Sequence, residues 1–167
     1  MTTERIEPPF AADETAMLTA WLDYHRATLL LKTEGLGHDR LRERSVPPSS
    51  LSLLGLVRHM AEVERWWFRR VGHETDIGDL FCSEEFKDGD FDLVADADAE
   101  ADFVTFRREC DLADEAMTGR GLDDTFLTKR GNTMNYRWVY IHMIEEYARH
   151  NGHADLLRER IDGAVGQ

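Results

Sequence analysis

Cysteine is scarce in this chain. Cys82 and Cys110 are the only two in 167 residues, and they form no CxxC pair. That count suits reduced thiols in a cytoplasmic protein better than a structural disulfide. Neither cysteine has an adjacent histidine that would mark it as a catalytic nucleophile. Long apolar runs are also missing: no stretch of about eighteen such residues exists to form a transmembrane helix. Positive charge is in deficit, with 20 Lys and Arg against 33 Asp and Glu and a net charge of −13. Nucleic acids and anionic membranes are polyanions, so this balance excludes them as main partners. The start, Met1-Thr2-Thr3-Glu4-Arg5-Ile6-Glu7-Pro8-Pro9-Phe10, lacks the basic and apolar regions of a signal peptide. No repeat, low-complexity tract or convincing strand is visible. The length suits one domain, residues 1–167, with a core of its own.

Helical periodicity, by contrast, is abundant. A first helix is expected from Asp13 to Glu34, with Met17, Leu18, Trp21, Leu22, Leu29 and Leu30 on its apolar stripe and Gly35 and Gly37 at its end. A second runs from Leu51, capped by Ser49 or Ser50, to Val71, with Gly72 as its stop. Its buried stripe is Leu53, Leu56, Val57, Met60, Val63 and Trp67, and Trp66 and Trp67 are expected in the core or at a dimer contact. Residues 73–95 form an acidic, turn-rich connection that Phe86 and Phe91 pin to the body. Its ligand order does not match a calcium-binding EF-hand loop. A third helix spans Asp96 to Met117, packing through Ala101, Val104, Ala113 and Ala116. A fourth spans Asn135 to Ile161 and stops at Gly163. The sum is an all-α four-helix bundle with long connections.

The most informative stretch lies on that last helix. His142, Glu146, His150 and His153 recur at spacings of four, four and three. At 100° per residue they fall within an arc of roughly 80°. All four side chains can ligate metal. They cannot share one ion, because His142 and His153 are about 16 Å apart along the axis. His142 with Glu146, Glu146 with His150, and His153 with Glu146 or His150 remain open as pairs. Bundles complete such sites from a facing helix. His25 and His59 lie inside expected helices, whereas His38 and His73 fall in connections. His59 is the better third ligand because small and apolar residues surround it on its face. Glu62 follows it by three residues, available as a ligand, a supporting group or a surface charge. Glu145 reads as a solvated neighbour.

The stretch from Leu51 to Phe68, with Gly55-Leu56-Val57-Arg58-His59-Met60 at its centre, resembles the second helix of the DinB/YfiT-like superfamily. The stretch from His142 to Asp155, with Glu146-Tyr147-Ala148-Arg149-His150-Asn151-Gly152-His153, resembles its last helix. Pro8-Pro9-Phe10, Tyr24-His25-Arg26 and Ser45-Val46-Pro47-Pro48-Ser49 extend the likeness over nearly the whole chain. It is closest to a branch without an assigned function, related to the mycothiol-dependent maleylpyruvate isomerase type. The resemblance implies one divalent metal held by a histidine of the second helix and two ligands four apart on the last. Many members carry His-x3-His there; the isomerase group carries Glu-x3-His. The second version matches Glu146 and His150, so the implied metal ligands are His59, Glu146 and His150. His142 and His153 then line or support the site, and Glu62 is a further candidate support.

Two imidazoles and one carboxylate suit Zn²⁺, with Ni²⁺ and Fe²⁺ as alternatives. Three protein ligands leave a position open, as in catalytic zinc sites. The resemblance implies thiol chemistry: a low-molecular-weight thiol such as mycothiol is activated and attacks an electrophile, giving transfer, isomerisation or detoxification. It also implies a homodimer. Metal-assisted hydrolysis, with Glu62 or His153 as base, is a second expectation, and a non-catalytic helical metal-binding or sensor protein is a third.

Overall fold

The computed structural model describes residues 3–71 and 77–166. The order of elements is α1 (Glu14–Leu31), α2 (His38–Arg42), α3 (Leu53–Glu64) running on as a π-helix (Arg65–Val71), α4 (Gly89–Asp92), α5 (Ala99–Met117), β1 (Thr125–Leu127), β2 (Thr133–Asn135) and α6 (Tyr136–Asp162). The four long elements pack as the expected DinB-like bundle: α1 lies against α6, α3 against α5 and α6, and the π-helix against α5.

Helix ends follow the capping chemistry. Asp13 accepts from the Ala16 N–H at 3.0 Å, and Asn135 accepts from the Trp138 N–H at 2.9 Å. Gly163 closes α6 in the left-handed region at φ 81°. The cap of α3 is Ser52, which accepts from the Gly55 N–H at 3.1 Å, so the helix starts two residues later than its periodicity suggests. Ser49 instead accepts from the Leu51 N–H in the turn before it. Both the expected stop at Gly72 and His73 lie outside the described residues.

Several elements depart from the sequence expectation, among them the short α4 inside the acidic connection. The hairpin β1–β2 pairs Thr125 with Asn135 and Leu127 with Thr133. With three residues per strand, it is too short for an alternation to be legible. Helix α2 has only five residues and reads as a connection. The last seven residues of the second helix, Arg65–Val71, take the wider π form. Such turns are frequent at functional sites, and this one carries both Trp66 and Trp67.

The core is formed by Leu22, Leu29, Leu53, Leu56, Val57, Met60, Phe68, Phe106, Met143, Tyr147 and Leu157, with smaller side chains between them. On α1, Trp21 is 40 % exposed, because its ring lies along Tyr24 and His25 on the outside. On α5, Ala101 and Val104 face solvent. The buried face of that helix is instead Asp102, Phe106, Glu109, Ala113 and Met117. Two acids sit inside because cations meet them: Arg58 donates to Asp102 at 3.2 Å, and Arg65 and Arg69 donate to Glu109 at 2.9 and 2.6 Å. A hydropathy pattern cannot register a face buried by ion pairs. Gly152 faces open space, so no close approach explains it.

Candidate metal centre

His59 projects from α3 towards α6. Its Nδ1 lies 2.7 Å from Oδ2 of Asp90, a carboxylate that is almost fully buried. A carboxylate oxygen only accepts, so the Nδ1 proton sits in this bond and the Nε2 lone pair is left for another partner. A carboxylate behind a histidine is the usual support of a metal-ligating imidazole, fixing its tautomer and orientation.

Asp90 reaches this position through a tightly docked segment. One oxygen of Glu62 accepts the N–H groups of Leu80, Phe81 and Cys82 at 2.6, 2.5 and 3.1 Å. Arg58 donates to the Gly89 carbonyl at 3.2 Å. A Cβ on Gly89 would lie 2.3 Å from the Phe81 carbonyl oxygen, so only glycine fits there. Phe91 packs over His59 with ring centroids 5.2 Å apart, and against Gly55, where a Cβ would meet its ring at 2.7 Å. Phe91 and Glu62 therefore pin the segment, whereas Phe86 is 40 % exposed.

On α6, Glu146 and His150 sit one turn apart, with Glu146 Oε2 3.4 Å from His150 Nε2. The rings of His59 and His150 are 4.7 Å apart. Ligand atoms of His59, Glu146 and His150 all lie within 4.8 Å of one another. Tetrahedral bonds of about 2.0–2.1 Å to zinc place donor atoms about 3.4 Å apart. The Glu146–His150 pair already has that spacing, and the residual closure falls to His59. Burial, and next the charges on His59 and His153, push the His150 imidazole down to about 4. It is therefore neutral at pH 7, the state a ligand needs. The donor set and its protonation both fit a divalent ion.

His142, Glu145 and Glu146 form a second convergent group. A cation already serves it: Arg149 pairs with Glu145, and its Nη1 lies 3.6 Å from Glu146 Oε1. His142 itself is clamped by aromatic rings, stacked on Trp138 at 4.8 Å and edge-on to Trp67 at 4.5 Å. Its Nε2 is 3.7 Å from Glu146 Oε1. His153 stands behind His150, with their Nδ1 atoms 3.4 Å apart. Glu62 belongs to neither group, since the 80–82 backbone engages its carboxylate. Of the other histidines, His25 contacts Asn151 and His38 is exposed at the start of α2.

A pocket of about 270 Å³ opens beside His59, between the π-helix and the 79–91 segment. Cys82 lines it, and burial pushes that thiol up, so it is not a ready thiolate. Burial, then the Glu64 charge, raises Cys110 much further.

A model of the mycothiol-S-transferase family matches residues 17–163. The chain belongs to that family. The match spans all four bundle helices apart from the first turn of α1, and it bears out the DinB/YfiT-like kinship read from the two helix motifs. No curated protein matches the chain. In this member of the mycothiol-S-transferase family, the residue that sequence reasoning missed is Asp90. It sits in an acidic segment that reads as solvated, and only the docking of that segment turns it inward. Asp90→Asn should weaken zinc binding about 10–100-fold, the usual cost of losing such a support. Competition with a chromophoric chelator measures this, and an unchanged affinity would show that Asp90 does not support the centre.

Proposed function

We propose that His59, Glu146 and His150 hold one divalent ion, zinc first, and that the protein transfers mycothiol or a similar small thiol to an electrophilic carbon. The observation that carries this reading is the convergence of the three ligand atoms from α3 and α6, with His59 also lining an open pocket. The family match supports thiol transfer as the reaction. A bound divalent ion supplies Lewis acidity, which lowers the pKa of a coordinated thiol and holds it as thiolate.

The chain's own residues do the rest. Asp90 keeps the His59 Nε2 lone pair aimed at the centre. Glu146 contributes the single negative charge of the ligand set. The Trp138–Trp67 clamp fixes His142 against the outer oxygen of Glu146, which limits how that carboxylate can turn. Val63, Trp66 and Trp67 give the pocket a dry wall. In the transfer, the thiol proton leaves to solvent and the sulfur lone pair forms the S–C bond. The leaving group departs with its bonding electrons; in a conjugate addition a proton is taken up at the neighbouring carbon instead.

Metal analysis of protein purified without a histidine tag, followed by conjugation assays with and without thiol, tests the proposal. About one equivalent of metal and strictly thiol-dependent consumption of electrophile are expected. Product formation indifferent to thiol would assign metal-assisted hydrolysis instead. Protein that neither carries metal nor gains thermal stability from added Zn²⁺ or Ni²⁺ would refute the metal centre.

A further inference from the structure

The pocket beside the metal centre has two chemically different sides. One is apolar and largely aromatic: Val63, Trp66, Trp67 and Phe91. Trp66 is 43 % exposed, so of the core and dimer-contact positions expected for it the core one does not hold. Trp67 is braced from behind by Trp138 and His142. The other side is predominantly acidic. Among the described residues that line the pocket, Glu62, Asp79, Asp88 and Asp90 carry four carboxylates, and Lys87 is the single ammonium group. Lys87 is paired with Glu84 at 2.9 Å. Arg70, whose guanidinium lies over Trp66 at 4.6 Å, is paired with Asp79 at 2.6 Å. Each of these two cations already has a carboxylate partner.

The volume, about 270 Å³, is just below the range of about 300–1,000 Å³ that suits drug-sized ligands. Flat rings gain most from such a wall, through burial and through offset or edge contact with indole. Even with Asp79 paired to Arg70, carboxylates outnumber cations around the pocket, and like-charge juxtaposition discriminates against an incoming anion.

Building on the thiol-transfer reading, we propose that the second substrate is a small planar aromatic electrophile without negative charge, held on Trp66 and Trp67, and that the carboxylate rim rejects anionic electrophiles. The dry wall takes the ring, and the metal end of the pocket takes the sulfur. Selectivity against anions is then a property of the empty pocket and needs no chemistry to be observed.

The test uses zinc-loaded full-length protein without any thiol. It is titrated by calorimetry with two unreactive ligands of the same ring system, 2-naphthalenemethanol and naphthalene-2-sulfonate. The alcohol should bind at least tenfold more tightly than the sulfonate. Trp66→Ala, at an exposed position, should weaken the alcohol at least fivefold while leaving the melting temperature and metal content unchanged. Asp88→Lys should bring the two ligands within threefold of each other, since the Asp88 side chain makes no capping bond that the fold relies on. Equal or tighter binding of the sulfonate, or an unaffected Trp66→Ala variant, would overturn the proposal. Because no thiol is present, a protein that shows the preference yet fails thiol transfer refutes the transferase reading alone.

Discussion

His150→Ala is expected to abolish stabilisation of the protein by metal. A ligand at a thousand times its Kd stabilises the native state by about 4 kcal/mol. For a domain of this size each kcal/mol moves the melting temperature by about 2–4 °C. Wild-type protein should therefore melt about 8–16 °C higher in saturating zinc, and the variant should show almost none of this. The reason is geometric. Removing His150 leaves His59 on α3 and Glu146 on α6, two donors that no longer close a three-point site. His153→Ala is the contrasting variant. His153 lies outside the ligand group and meets it at His150, so most of the shift should survive. Scanning fluorimetry with and without zinc, beside metal analysis, reads both. A full shift retained in His150→Ala, or lost equally in His153→Ala, would place the ion elsewhere.

The second large effect concerns stability. Glu64, fully buried at the end of α3, accepts from Arg26 Nε at 2.7 Å and Nη2 at 2.8 Å, and from the Tyr147 hydroxyl at 2.7 Å. Arg26 also donates from Nη1 to Asp114 at 2.9 Å and Asp23 at 3.0 Å. One ion cluster thus ties α1, α3, α5 and α6 together. Burial first, and then the Glu64 charge, hold the Tyr147 hydroxyl well above its ordinary range, so it remains a donor.

Glu64→Ala removes the only charge that meets Arg26 in a bidentate pair and leaves the guanidinium's Nε and Nη2 without their acceptor. Breaking a buried pair from one side costs about 3–5 kcal/mol. Tyr147→Phe, which removes one hydrogen bond to a charged group, should cost about 1.5–3 kcal/mol. The double variant Arg26→Met/Glu64→Leu should recover part of the Glu64→Ala loss, because it leaves no orphaned cation. Urea unfolding midpoints at unchanged slope check the series. A loss under about 1 kcal/mol for Glu64→Ala would mean that water reaches Arg26 and that the cluster contributes little.

Much of the fold was legible because four long segments repeat apolar residues at helical spacing, and because Asp13, Asn135 and Gly163 mark helix ends by local chemistry. The same periodicity placed Glu146 and His150 on one stripe. The parts that escaped have particular causes. Asp102 and Glu109 are buried by distant arginines, so the inward face of α5 reads as polar. The hairpin is too brief to show a pattern. Arg65–Val71 adopts the π form, which no propensity in these residues announces, and Trp66 there is exposed.

The sequence alone therefore determined the helices and the stripe of potential ligands and, through its resemblance, pointed to His59, Glu146 and His150, whose ligand atoms the fold brings together. Helical geometry is local, so spacing is enough to align side chains on one face. Only the tertiary structure decided which groups meet across helices. It turned Asp90 from an apparent solvent carboxylate into the partner of His59, spent Glu62 on three backbone N–H groups, and set Arg149 against Glu145 and Glu146. These are contacts between residues distant in the chain. They depend on how α3, α6 and the 77–92 segment dock, and docking is set by packing and ion pairing that a single sequence does not display.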